Sequence, residues 1–215
     1  MKILKIFLSP SNQDDNRYAY GDTNESVQCG KIAEACKEAL ERNGFEVMLM
    51  HDETMADKVA AANEWGADYY IAIHTNAFNG QVSGTRMFYY TIGGQGQQLC
   101  EAIFNRLAPF TPGTSENIRQ HTGLYETRMP NAHVAYIEVD FHDVPSVAKW
   151  IIENTVAIGE VIAHGICDHA GVEYKQVAPN VDKLYRVQVG AFRNRKYAEA
   201  LRNELKENGY DAFIV

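Results

Sequence analysis

The sequence contains few cysteines and no apolar run long enough to cross a membrane. Its four cysteines, Cys29, Cys36, Cys100 and Cys167, show no CxxC spacing, which favours reduced, buried thiols over disulfides or a cysteine-based metal site. A membrane helix needs about 20 consecutive apolar residues, and no such stretch is present. Residues 1–8 have no small-residue cleavage site after their short apolar part, so they predict a first strand rather than a signal peptide.

An excess of positive charge is also missing. The net charge is −8, and residues 1–182 carry 13 Lys and Arg against 24 Asp and Glu, whereas residues 183–215 carry 7 against 4. An acidic body argues against nucleic acid as a partner, because phosphate contacts need a basic face. The glycines of residues 93–96 lack the full spacing of a dinucleotide- or phosphate-binding loop. These absences leave a soluble enzyme or a binding module as the main possibilities.

Apolar runs and helical periodicities alternate along residues 1–168. Strands are predicted over residues 3–8, 45–49, 69–73, 85–91 and 134–138, and helices over residues 25–43, 57–65, 97–107 and 146–164. This alternation predicts a doubly wound, mostly parallel α/β sheet with helices on both faces. Residues 169–183 lack periodicity and predict a linker, and residues 184–215 predict a small C-terminal β-α-β unit.

Three ionisable residues occupy positions at which chemistry is common. His74 ends a buried strand, and ligands in open α/β sheets bind outside the carboxyl ends of the strands, so this imidazole is placed to hold a metal. Glu138 ends an apolar strand, where a carboxylate can act as a general base on a metal-bound water. Glu25 begins the first long helix, whose dipole favours an acid. The alternative for each residue is a purely structural role.

Several short motifs follow one another in an order shared with one enzyme family. They are Ser9-Pro10, Asn24-Glu25, Ile73-His74-x-Asn76-Ala77 and Ile137-Glu138-x-x-Phe141. This order resembles the zinc-dependent N-acetylmuramoyl-L-alanine amidases of the amidase-3 family over residues 3–166. The resemblance implies a zinc (Zn2+) hydrolase that cleaves the amide between muramic acid and the L-alanine of the stem peptide. It implies Glu25 and His74 as metal ligands and Glu138 as the catalytic base.

The family's first zinc ligand, a histidine in a loop after the first strand, is replaced in this chain. Asn12 falls at that position, and amide side chains are poor zinc ligands beside imidazole. We predict His142, four residues past Glu138, as the substitute, because residues 141–143 look like a variant branch of the family. His51 and Gln13 are the alternatives.

Substrate contacts and partners are predicted from the same resemblance. The residues predicted to bind substrate are Asn12, Gln13, Asn76 and His133. The partner is peptidoglycan, through both its glycan strand and its stem peptide. Residues 184–192 and 206–215 resemble parts of a SPOR peptidoglycan-binding domain, of which about half is present. Two strands and one helix bury too little surface to be stable alone, so the tail predicts a homodimer or docking on the catalytic domain.

The sequence therefore predicts a peptidoglycan amidase of the endolysin kind. Without a signal peptide, it would accumulate in the cytoplasm and act on the cell wall after release. One rival is a non-catalytic wall-binding protein that lost its metal together with the first histidine. A second rival is a zinc peptidase or deacetylase that acts on the same polymer.

Overall fold

A computed structural model describes residues 2–177, 188–210 and 212–214. The chain divides into two compact units, Met1–Val177 and Ala178–Val215. The first unit contains, in chain order, β1 (Lys5–Pro10), α1 (Glu25–Arg42), β2 (Glu46–Leu49), α2 (Met55–Trp65), β3 (Tyr69–Asn76), β4 (Arg86–Tyr89), α3 (Gln95–Leu107), β5 (Asn117–Gln120), α4 (Tyr125–Arg128), β6 (His133–Phe141) and α5 (Pro145–Ala170). The second unit contains α6 (Arg195–Glu207).

The first unit is built on one six-stranded sheet with the order β2-β1-β3-β6-β4-β5. β1, β2, β3 and β6 are parallel to one another. β4 runs antiparallel to β6, and β5 runs parallel to β4. The predicted doubly wound, mostly parallel α/β fold is therefore confirmed.

Helices cover both faces of this sheet, which explains why its central strands read as continuous apolar runs. The face that carries Ile6, Ile71 and Ile137 packs against α1, α3 and α5. The opposite face packs Phe7 against Val59 of α2. This second face also carries the polar side chains of the site at the carboxyl ends of β3 and β6.

Two elements of the first unit were not predicted from the sequence. β5, with the sequence NIRQ, is a mostly exposed strand at the edge of the sheet, so it has no buried face to give an apolar alternation. α4 is a single turn. In addition, α5 continues to Ala170, past the point where the linker was predicted to begin, and Tyr174 after it hydrogen-bonds to Glu160.

In the second unit the structure confirms only the helix. Its N-cap is Asn194, whose side chain accepts from the backbone N–H of Lys196 at 3.0 Å. Residues 212–214 form no strand, so the predicted last strand is wrong for these residues. The alternating Tyr185, Val187 and Val189 predict the first strand of the β-α-β unit. Residues 185–187 lie outside the described part of the chain, and residues 188 and 189 form no strand. Across the described ranges, no helix combines the length and hydropathy of a membrane span.

Candidate active site

The site lies at the carboxyl-terminal edge of the sheet, where β3 and β6 end side by side. His74 of β3 is the register partner of Glu138 of β6, so the two side chains share one face of the sheet. An irregularity in the register follows at once, between His74 and Asn76. The imidazole of His74 stacks on the ring of Tyr136 with centroids 4.6 Å apart. The parallel strands thus bring together the two residues that the sequence pattern placed at strand ends.

Glu25, the first residue of α1, lies at the same edge of the sheet. The helix begins there because Asn24 caps it, with its side chain accepting from the backbone N–H of Val27 at 2.9 Å. The buried carboxylate of Glu25 lies 3.0 Å from Nδ1 of His74 through Oε1, and its Oε2 accepts from Nδ2 of Asn16 at 2.7 Å. The structure thus brings together the two residues that the resemblance implied as metal ligands.

The second nitrogen of His74 faces a residue that the sequence analysis missed. Glu126 of α4 lies 3.4 Å from His74 Nε2 through Oε2 and is 3% exposed. Its Oε1 accepts hydrogen bonds from Ser9 Oγ at 2.5 Å and from the hydroxyl of Tyr70 at 2.7 Å. The ring of His74 therefore sits between two buried carboxylates, one at each nitrogen.

This arrangement favours the charged form of all three groups. Burial alone would lower the pKa of His74, but its contacts with Glu126 and Glu25 outweigh burial and raise that pKa to about 10. Burial would likewise raise the pKa of each carboxyl, but the hydrogen bond and the positive charge of His74 lower the pKa of both Glu25 and Glu126.

Glu138 differs from the other two acids in that it has no partner. Its Oε2 is shielded from solvent and makes no hydrogen bond within the described part of the chain. Burial raises the pKa of Glu138 to about 8; the charge of His74 opposes this shift and that of Glu25 adds to it. A carboxyl group whose pKa lies near neutrality can both accept and return a proton, which suits a general base.

His142, the predicted third metal ligand, follows β6 and contacts Thr75 and Tyr18. Its Nδ1 lies 2.9 Å from Oγ1 of Thr75, and its ring stacks on Tyr18 with centroids 4.9 Å apart. The alternative, His51, contacts the backbone oxygen of Ser11 at 3.1 Å through Nε2. Neither histidine contacts Glu25 or His74, so the identity of a third ligand stays a prediction.

The residues predicted to bind substrate lie at both ends of the strands, not only at the carboxyl ends. Asn12 and Gln13 line a cleft of about 320 Å³ that also contains His74 and Glu126. Asn76 lines a second cleft on the other side of β3. His133 is the exception, because it begins β6 and packs near Tyr69 at the opposite edge of the sheet.

His133 therefore cannot act beside Glu138. The two lie five positions apart along an extended strand, or roughly 16 Å. The prediction that His133 binds substrate at this site is corrected accordingly. The sequence pattern placed this histidine in a loop ahead of the strand, which is the end farthest from the chemistry.

The side chains of the site supply part of what a zinc ion requires. Protein zinc sites use three or four ligands that converge on one point, and no group of three His, Cys, Asp or Glu converges in this way among residues 2–177, 188–210 and 212–214. Glu25 and His74 do lie together, and carboxylate and imidazole are both donors that zinc accepts. The side chains thus fit zinc in donor chemistry and supply two adjacent ligands, without the third.

Comparison with known proteins gives matches for both units. Residues 6–168 match the family described as N-acetylmuramoyl-L-alanine amidase, and residues 170–215 match the SPOR domain. A sporulation-specific N-acetylmuramoyl-L-alanine amidase of Bacillus subtilis is 24% identical, over 99% of this chain and 85% of its own length.

Solved structures give the same fold. Cwp6 from Clostridium difficile superposes with a TM-score of 0.72 at 22% identity, covering 78% of this chain and 29% of its own. The catalytic domain of CwlV, an N-acetylmuramoyl-L-alanine amidase from Bacillus (Paenibacillus) polymyxa var. colistinus, gives 0.71 at 17% identity, covering 80% of this chain and 100% of its own. At these identities the likeness supports the fold of the first unit.

Proposed function

Because the chain belongs to the N-acetylmuramoyl-L-alanine amidase family, and so cleaves the amide between N-acetylmuramic acid and the L-alanine of the stem peptide, we propose that Glu138 is its general base. One observation carries this proposal. The carboxyl oxygen of Glu138 lacks a hydrogen-bond partner among the described residues, and it lies beside His74 at the edge of the sheet where α/β proteins bind their ligands.

The reaction needs one proton to move twice. Glu138 takes a proton from the attacking water as the new O–C bond forms at the lactyl carbonyl of muramic acid. It then gives that proton to the nitrogen of L-alanine as the C–N bond breaks, which leaves a carboxylate on the muramic acid and a free amine on the peptide. The raised pKa of Glu138 makes its carboxylate a stronger base for the first transfer, and this pKa lies close enough to neutrality for the proton to be returned.

The family is generally zinc-dependent, and we propose Glu25 and His74 as two ligands of one zinc ion, with His142 as the predicted third. Zinc, when bound, polarises the scissile carbonyl and lowers the pKa of water. Histidine ligands commonly donate their second N–H to a carboxylate that fixes the ring. Glu126 supplies such a carboxylate at Nε2 of His74, so we propose it as a positioning residue.

The reaction itself is tested by product analysis. Full-length protein incubated with purified peptidoglycan should release peptides that begin with free L-alanine, together with muramic acid that carries a free lactyl carboxylate. Mass spectrometry of the soluble fragments distinguishes this outcome from its rivals. Peptides cut at another bond would indicate a peptidase, loss of acetyl groups would indicate a deacetylase, and intact wall in the presence of zinc would indicate a binding protein.

We also propose that the second unit binds the wall and pairs between chains. Its described residues bury none of the large apolar side chains: Val189, Tyr197, Tyr210 and Phe213 are all more than 60% exposed. An apolar surface of this kind is typical of an interaction site. The match to a SPOR domain supports peptidoglycan as one partner. A role as an endolysin stays a prediction from the sequence.

Removing residues 178–215 is expected to leave a folded, monomeric amidase that binds the wall more weakly. Light scattering at tens of micromolar and sedimentation with purified wall measure the two effects. Tyr210→Ser combined with Phe213→Ser should reproduce the loss of the dimer. Val156→Ser is the control, because Val156 is 65% exposed on α5. A monomeric full-length protein, or unchanged wall binding after truncation, would contradict the proposal.

A further inference from the structure

A second cleft adjoins Glu138 on the side away from His74. Arg86 of β4 is the antiparallel register partner of Glu138, so their Cα atoms lie about 5 Å apart and their side chains share one face of the sheet. The cleft encloses about 380 Å³, and Arg86 and Arg119 lie on its wall together with Phe88 and Phe141. The cleft is therefore lined by the residue that pairs with the proposed general base across the sheet.

The two arginines of this cleft have no acidic partner. Among the described residues, no carboxylate oxygen lies within 4.0 Å of either guanidinium group. Arg86 donates from Nη2 to Oγ of Ser115 at 3.0 Å, whereas its Nη1 is shielded from solvent and makes no hydrogen bond there. Arg119 lies over the ring of Phe88, 5.2 Å from its centroid.

Asp140, one of the two acids whose charge acts on Arg86, is engaged elsewhere. Asp140 accepts from three backbone N–H groups, those of Gly84 at 2.6 Å, Phe141 at 2.7 Å and Gly113 at 3.2 Å. Burial lowers the pKa of Arg86, and the like charge of Arg119 lowers it further, against the opposing charges of Glu116 and Asp140. The cleft thus retains unsatisfied positive charge on an apolar wall.

We propose that this cleft is the subsite for the stem peptide, and that Arg86 and Arg119 bind a free carboxylate of that peptide on the leaving side of the scissile amide. Guanidinium groups pair with carboxylates through two parallel hydrogen bonds, and Nη1 of Arg86 has that capacity unused. Phe78, which is 75% exposed on the lining of this cleft, supplies apolar contact for the rest of the peptide, beside the largely buried rings of Phe88 and Phe141. This inference rests on the proposed amidase function.

The chemistry of the substrate supports the peptide rather than the glycan. The lactyl carboxyl of muramic acid is consumed in the amide bond, so the glycan beside it is neutral, whereas the stem peptide carries free carboxylates. The cleft on the other side of β3 differs because its cations are engaged: Lys58 donates to the backbone oxygen of Pro10 at 2.7 Å, and His74 lies between Glu25 and Glu126. Positive charge left unpaired within the described residues therefore favours the cleft of Arg86 and Arg119 for the peptide.

The test uses two soluble muramoyl-peptides. In one, the first carboxyl group after L-alanine that is not part of a peptide bond is a free carboxylate. In the other, the same group is a carboxamide, and the rest of the molecule is identical. For the full-length enzyme with zinc, we expect Arg119→Gln and Arg86→Gln each to raise KM for the carboxylate substrate, relative to the carboxamide substrate, by about tenfold. Arg119→Lys should recover part of this ratio. Lys31→Gln, which removes a positive charge from the exposed face of α1, should leave the ratio unchanged.

A second measurement separates this inference from the reaction. The carboxylate and carboxamide forms of the released peptide are titrated into the protein by calorimetry, which requires no turnover. Stronger binding of the carboxylate form, with loss of that preference in Arg119→Gln, supports the subsite even if neither substrate is hydrolysed. A lack of hydrolysis would then contradict the proposed function but not the subsite. An unchanged KM ratio and equal binding of the two peptides by both arginine variants would overturn the subsite, as would an equal effect of Lys31→Gln.

Discussion

Replacing Glu138 with Gln is expected to lower the turnover number for wall hydrolysis by about 10²–10⁴-fold, while the zinc content stays unchanged. The amide keeps the size of the side chain but cannot accept the proton of the attacking water. Because Oε2 of Glu138 has no hydrogen bond to lose within the described residues, the substitution should disturb the fold little. The measurement is the rate at which L-alanine amino termini appear in purified wall, with metal content determined on the same preparation.

Glu34→Gln serves as the control for Glu138→Gln, because Glu34 is an exposed acid on α1 and lies outside the site. A Glu138→Gln protein that contains zinc and releases L-alanine termini at nearly the rate of the unaltered chain would eliminate this residue as the base. A protein that loses both zinc and activity would instead place Glu138 among the metal ligands.

Replacing His74 with Ala should abolish hydrolysis and lower the zinc content severalfold. The imidazole contacts Glu25 at one nitrogen and Glu126 at the other, so its removal takes away one ligand and leaves two buried acids without their counter-charge. Breaking a buried ion pair typically destabilises a protein by about 3–5 kcal/mol. His74→Gln is therefore examined in parallel, with circular dichroism to establish that each variant is folded before its metal is measured by mass spectrometry.

His142→Ala and His51→Ala extend the same series to the third ligand. If His142 is that ligand, its removal should lower the zinc content as His74→Ala does, and His51→Ala should have no effect. Zinc retained in full by His74→Ala would refute the metal site as assigned. Zinc retained by His142→Ala but lost from His51→Ala would transfer the third position to His51.

The sequence was informative wherever a residue's role depends on its own strand. His74 and Glu138 each end a buried apolar run, and the register of β3 and β6 makes them neighbours, as expected for parallel strands. Asn24 and Glu25 carry the signature of a helix start, and α1 begins there. In each case a local pattern and the rule for the ends of parallel strands were sufficient.

Residues whose roles depend on distant partners could not be found in this way. Glu126 lies in a polar stretch and reads as an exposed acid; its burial comes from Ser9 and Tyr70, which are 117 and 56 residues away in the chain. Arg86 is opposite Glu138 only because β4 pairs antiparallel with β6, an orientation that alternating apolar residues do not reveal. The sequence therefore predicted the strand-end residues of the site but not their surroundings.

The backbone hydrogen bonds to Asp140 fix the dimensions of the cleft that holds Arg86 and Arg119. Gly113 approaches Gly84 so closely that a Cβ on Gly113 would lie 2.1 Å from the backbone nitrogen of Gly84, and both amides point to Asp140 at the end of β6. The wall that carries Arg119 is thereby fastened to the strand that carries Glu138 before any substrate arrives, so little ordering entropy is lost on binding. If the cleft binds the stem peptide as proposed, the distance from its arginines to the scissile amide is fixed, so a peptide whose carboxylate is displaced by one residue should be hydrolysed more slowly even though its charge is the same.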